Sequence, residues 1–143
     1  MNKHIISLAI AIGFGIGGNA FAADAMTKDA YKAEKDKIEA QAKADKKACD
    51  PMTANAKDVC QAEAKAKEKI AKAELDAKNK PGAKADEKLR LMKAEGEYEV
   101  TKEKCEDQQG AAVATCKKDA KAAYDKAKTT AKQATAADAK TKS

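Results

Sequence analysis

The sequence predicts an all-α protein of about four helices, forming two duplicated, disulfide-stapled helical hairpins that pack as a bundle or as an extended coiled-coil-like array. Three observations carry this reading. From residue 23 onward about a quarter of the chain is Ala, mixed with abundant Lys and Glu, the strongest helix formers. Helix breakers at Asp50-Pro51, Lys80-Pro81-Gly82 and Gln109-Gly110 cut that stretch into four pieces of similar length. The interval from Cys49 to Cys60 recurs from Cys105 to Cys116.

The first segment reads as a secretory signal peptide, residues 1–22. A charged start, Met1-Asn2-Lys3-His4, precedes an apolar run from Ile5 to Ile16 and the small-residue site Ala20-Phe21-Ala22, with cleavage expected between Ala22 and Ala23. As a helix that run would be only about 18 Å long against a hydrocarbon core of about 30 Å, too short to span. The expected product is exported and soluble. Setting the segment aside removes His4, Phe14 and Phe21, so the remaining 121 residues contain no His, Phe or Trp. They keep 28 of the 29 Lys and Arg against all 23 Asp and Glu, a formal charge of +5. Only eight large aliphatic residues remain, Ile38, Val59, Ile70, Leu75, Leu89, Leu91, Val100 and Val113. So few exclude a thick core, and the helices must meet along thin seams.

The first helix is expected from about Thr27 to Cys49, where Tyr31, Ile38, Ala42 and Cys49 share one face. Asp50 suits an N-cap and Pro51 a first helical position, so a second helix is expected from there, or alternatively from Asn55, to about Asn79. It turns Val59, Ala66, Ile70 and Ala73 inward. A third helix, about Ala83 to Asp107, sets Leu91, Tyr98 and Cys105 seven apart, beside Leu89, Met92, Gly96 and Val100. The fourth starts near Ala111 and carries Val113, Cys116, Ala120, Ala123 or Tyr124, and Ala127. After Thr129 the periodicity fades, which predicts a basic flexible tail over 129–143. The hairpins then occupy 23–80 and 81–128. Glu39/Lys43, Glu63/Lys67, Glu68/Lys72 and Glu74/Lys78 are spaced to support exposed helix faces within one helix.

Beyond the cysteines, an offset of 56 residues matches Lys46 with Lys102, Ala56 with Ala112, Ala64-Lys65-Ala66 with Ala120-Lys121-Ala122, and Ala71-Lys72 with Ala127-Lys128. Acidic residues persist at Asp50/Glu106 and Glu63/Asp119. This points to a duplicated helical hairpin. On one unbroken helix, Cys49 and Cys60 would lie about 16 Å apart, beyond the roughly 4–7 Å a disulfide tolerates. A local bridge therefore needs a turn, which Pro51 and Gly110 supply in their respective repeats. The alternative is a crossed pattern, Cys49 to Cys116 and Cys60 to Cys105, between two straight antiparallel helices. Breakers between the cysteines favour the local pattern, and spacing alone does not select it. Closing each local loop would stabilise by roughly 3 kcal/mol.

Functional chemistry is sparse. Neither C-x-x-C nor histidine is present to build a zinc site, and no metal or cofactor is expected. No imidazole base or glycine-rich phosphate loop remains, so the composition argues against an enzyme. Acidic residues crowd the end of the third helix, at Glu95, Glu97, Glu99, Glu103, Glu106 and Asp107. A solvated face or a pairing surface for lysines explains them better than a cation site. Residues 117–143 hold eight Lys against Asp119, Asp125 and Asp138, whereas 23–116 balance. The candidate contact residues are Lys117, Lys118, Lys121, Lys126, Lys128 and Lys132, facing anionic lipid, cell wall or envelope proteins. Nucleic acid is not an expected partner of an exported chain with so few aromatics.

The segments Tyr31-Lys-Ala-Glu-Lys-Asp-Lys-Ile-Glu-Ala40, Ala48-Cys49-Asp50, Asn55-Ala-Lys-Asp-Val-Cys60 and Ala71-Lys-Ala-Glu-Leu75 resemble small exported proteobacterial proteins labelled TolA-like cell envelope proteins. The second repeat departs from the N-A-K-D-V-C hexapeptide, reading Ala111-Ala-Val-Ala-Thr-Cys116. The resemblance implies a Gram-negative periplasm and carries no activity or site residues. Two functional expectations follow: a structural, envelope-associated protein, or a stress-response or chaperone-like binder of other proteins.

Overall fold

The computed structural model describes residues 26–141, with side chains to 137. The expected signal segment and its Ala22/Ala23 cleavage site lie outside the described residues. Four long α-helices make up the architecture: α1 (Lys28–Ala48), α2 (Ala54–Asn79), α3 (Ala83–Lys104) and α4 (Ala111–Thr141). The predicted all-α class holds. Thr27 caps α1, its hydroxyl accepting from the Ala30 amide at 3.2 Å, and Lys46 and Lys47 sit in the last turn where they complement the helix dipole.

Each helix packs antiparallel to its chain neighbour, α1 on α2, α2 on α3 and α3 on α4, and the α2–α3 contact is the most extensive. Every substantial helix contact among the described residues joins neighbours in sequence, so the helices form an open row instead of a closed bundle. Between the two open sequence readings, the extended array is the one found. α1 and α4 are its edges. Asn55 Nδ2, near the start of α2, donates to the Glu103 carbonyl near the end of α3 at 2.8 Å. That bond brings both cysteine-bearing turns to one end of the row. The Lys80–Gly82 turn lies at the other.

Both disulfides are local. Cys49 pairs with Cys60 and Cys105 with Cys116, at Cα separations of 5.7 and 5.6 Å. The crossed alternative is excluded, because each turn returns the chain over its own cysteine. The turns repeat in detail. The Met52 amide donates to the Cys49 carbonyl and the Gln108 amide to the Cys105 carbonyl, both at 3.1 Å. Ala54 and Gly110, 56 residues apart, both adopt the left-handed region, at φ 50° and 59°. The counterpart of Gly110 is therefore Ala54, not Pro51.

That geometry selects the later of the two expected starts of α2, the one near Asn55. Asp50 and Pro51 do not open the helix, since Pro51 lies inside the reversal and α2 begins at Ala54 after N-cap Thr53. The chain must turn back before it can coil again, and only a left-handed residue permits so tight a change. The expected end of α3 also shortens, because Cys105–Asp107 tighten into a 3₁₀ turn. α4 lengthens: where a flexible tail was expected after Thr129, helix continues to Thr141. The reason is packing. Ala131 is 2 % exposed, and Arg90 Nη2 on α3 reaches Thr135 Oγ1 at 3.4 Å.

The core is built of alanines. Ala42, Ala64, Ala66, Ala73, Ala120 and Ala131 are buried along with Leu75, and the most enclosed side chains of all are Cys49 and Cys105. Small side chains let the helices approach closely. A Cβ added at Gly96 would lie 2.9 Å from the Ala66 Cβ, so glycine is what allows α3 to seat on α2 there. Ile38, Val59, Ile70, Leu91 and Val100 remain half-buried, as expected where each seam has open sides.

Candidate surface-contact site

The six lysines singled out on α4 divide into two sets. Lys117 is ion-paired to Glu106, Lys121 to Asp125 at 2.8 Å, and Lys128 Nζ lies 5.2 Å over the Tyr124 ring. These three are partly spent inside the row. The Asp125 carboxylate hydrogen-bonded to Lys121 raises that ammonium's pKa, and Lys121 in turn lowers the pKa of Asp125. Lys118, Lys126 and Lys132 are exposed and meet no acidic partner among the described residues. Their spacing puts them on the side of α4 away from Ala120, Tyr124 and Ala131, which face α3. As an edge helix, α4 has no other helix covering that side among the described residues.

The acidic crowd on α3 turns out to be a pairing surface in large part. Glu95 meets Lys69 of α2 at 2.6 Å, Glu106 meets Lys117 of α4, and Glu99 and Glu103 share Lys102. Of the four glutamate–lysine pairs expected within one helix, Glu68 and Lys72 form one at 2.8 Å. The other three glutamates reach across helices, Glu39 to Lys72, Glu63 to Lys104 and Glu74 to Lys93. Neighbouring helices bring a second lysine within reach of each carboxylate, and helical spacing alone cannot register that competitor. At the centre of this network Glu68 accepts from Lys46 and Lys72, which hold its carboxyl at about 2. Lys88, and then the Tyr31 hydroxyl at 2.6 Å, depress Asp76, tying the start of α1 to the end of α2.

One feature escaped the sequence reading. A groove of about 710 Å³ opens between α3 and α4, with Ala94, Tyr98 and Thr101 on one wall and Ala120, Ala123 and Tyr124 on the other. Tyr98 and Tyr124 stack between the two walls, ring centroids 5.2 Å apart and planes at 15°. Of the expected alternatives Ala123 and Tyr124, the tyrosine turns inward and the alanine stays exposed. Glu97 stands on the α3 wall and Asp119 on the α4 wall, and no lysine or arginine lines the groove. Both carboxylates are exposed and have no cation partner among the described residues.

Among the described residues no cluster of His, Cys, Asp or Glu is arranged to hold a metal ion, and no helix is long and apolar enough to cross a membrane. No protein-family model, curated protein or solved structure matches the chain. The site is therefore read from its own geometry.

Proposed function

We propose that this is a structural, envelope-associated protein of the Gram-negative periplasm whose edge helix α4 rests on anionic surfaces, either lipid head groups or cell-wall polymers. One observation carries the reading: Lys118, Lys126 and Lys132 meet no acidic partner among the described residues and lie together on the side of an edge helix turned away from its neighbour. The two disulfides fit an oxidising compartment, and the apolar N-terminal run fits export. Contact is electrostatic and superficial, since α4 offers no large apolar side chain on that side for insertion.

Binding to vesicles containing anionic phospholipid, and to isolated wall sacculi, should fall as salt rises and should drop at least about tenfold in a Lys118→Glu/Lys126→Glu/Lys132→Glu variant. Equal binding by that variant, or no binding at low salt to either surface, overturns the proposal.

The open tyrosine-lined groove favours a second reading, a stress-response or chaperone-like module that holds other proteins. It requires the protein to suppress aggregation of unfolded clients. Clients that aggregate at an unchanged rate rule it out.

A further inference from the structure

We propose that the groove between α3 and α4 receives helix α1 of a second copy of this chain, with Lys37 and Lys43 seated against Glu97 and Asp119. In a chain of net charge +6, the groove's lining contains two carboxylates, one on each wall, and no cation. Its surface is otherwise alanine, threonine and tyrosine with Gln108 and the disulfide-bonded Cys116 at one end, open enough for a helix with a small-residue face.

Helix α1 has such a face. Among the described residues its one substantial packing partner is α2, and Ala33, Ala40 and Ala44 are exposed on its outer side. Lys37 and Lys43 flank that alanine line on opposite sides, six residues apart, about 9 Å along the axis. The groove matches this spacing. Tyr98 lies opposite Tyr124 and Cys105 opposite Cys116, which sets Asp119 about six residues, again about 9 Å, along from Glu97. Two cations on opposite flanks of a helix thus meet two anions on opposite walls at the same offset. Lys43 meets no acidic partner among the described residues. Lys37 exchanges an exposed contact with Glu34 at 2.7 Å, a pair worth little in solvent.

Because α1 and the groove are different surfaces, the contact is heterologous: each copy that accepts a helix still offers its own. Association therefore grows stepwise with concentration. It uses none of Lys118, Lys126 and Lys132, so loss of surface binding and loss of self-association are separable.

The test is sedimentation equilibrium of the disulfide-intact protein from about 10 μM to 1 mM. Average mass should rise with concentration at low salt and fall when salt screens the pairs. Lys37→Glu/Lys43→Glu and Glu97→Lys/Asp119→Lys should each weaken association at least about tenfold, because each sets like charges together. An equimolar mixture of the two variants should associate again, since one supplies an intact helix and the other an intact groove. Circular dichroism checks that both variants remain folded. A wild-type monomer at 1 mM, reversals without effect, or a mixture that stays monomeric while folded, each overturns the proposal.

Discussion

Glu68 sits between two lysines that share its carboxylate. Lys46 and Lys72 hold its carboxyl at about 2, below its ordinary 4.5, by hydrogen bonds of 2.6 and 2.8 Å. A carboxylate depressed on folding contributes stability that is complete above the unfolded value and is lost as pH falls. The window here runs from about 4.5 down to about 2. Glu68→Gln should therefore cost about 1 kcal/mol near neutrality, a figure reduced for solvent screening, and nothing near pH 2. Urea titrations of both proteins across that range check it; a constant difference at all pH values contradicts it. The left-handed turn residues give a second residue-scale expectation. Gly110→Ala places a Cβ at φ 59° and should lose about 1 kcal/mol, whereas Ala54→Gly relieves the same strain at φ 50° and should gain a few tenths, the glycine's extra freedom in the unfolded chain offsetting the rest. The equivalence of these two positions was hidden in the sequence because alanine carries no turn signal, while Pro51 carries a strong one and drew the helix start towards itself.

At the scale of elements, the four helices were legible because breakers and a single inward face per helix are local signals. Tyr31, Ile38, Ala42 and Cys49 do share the face that meets α2. What was not legible was which neighbour each face meets. α2 is buried on two sides, so Ala64 and Leu75 join the inward set although they fall off the stripe through Val59, Ala66 and Ala73. The fate of the glutamates depends on the same unseen neighbours. So does the length of α4, whose last turns are held by burial of Ala131 and by Arg90, which lies on another helix. Alanine seams leave the staples to carry much of the stability. Replacing Cys49 and Cys60 by Ala should cost about 3 kcal/mol, and removing both bridges about twice that, comparable with the whole stability of a small domain. Denaturant midpoints of the two variants and the wild type check this, and a quadruple variant as stable as the wild type would contradict it. Gly96→Val tests the central seam: its Cβ meets Ala66 at 2.9 Å, and the helices must part at a cost of about 2 kcal/mol.

At the scale of the whole molecule, two stapled turns at one end and, among the described residues, substantial contacts only between helices adjacent in sequence produce a layer one helix thick. Such a layer exposes both of its edges and both of its faces. Its edges are what the functional proposals use: the uncovered lysines of α4 toward an anionic surface, the alanine line of α1 toward another copy. A closed bundle would bury one or both. The openness of the row is consequently the claim on which the rest depends, and a distance between its edges tests it most directly. Spin labels attached through non-cysteine chemistry at the exposed Ala40 of α1 and Ala122 of α4, in dilute disulfide-intact protein, report that distance. Three successive helix spacings of about 8–10 Å predict a separation of at least about 24 Å; a separation below about 20 Å, as in a bundle closed through α1 and α4, would contradict the open row.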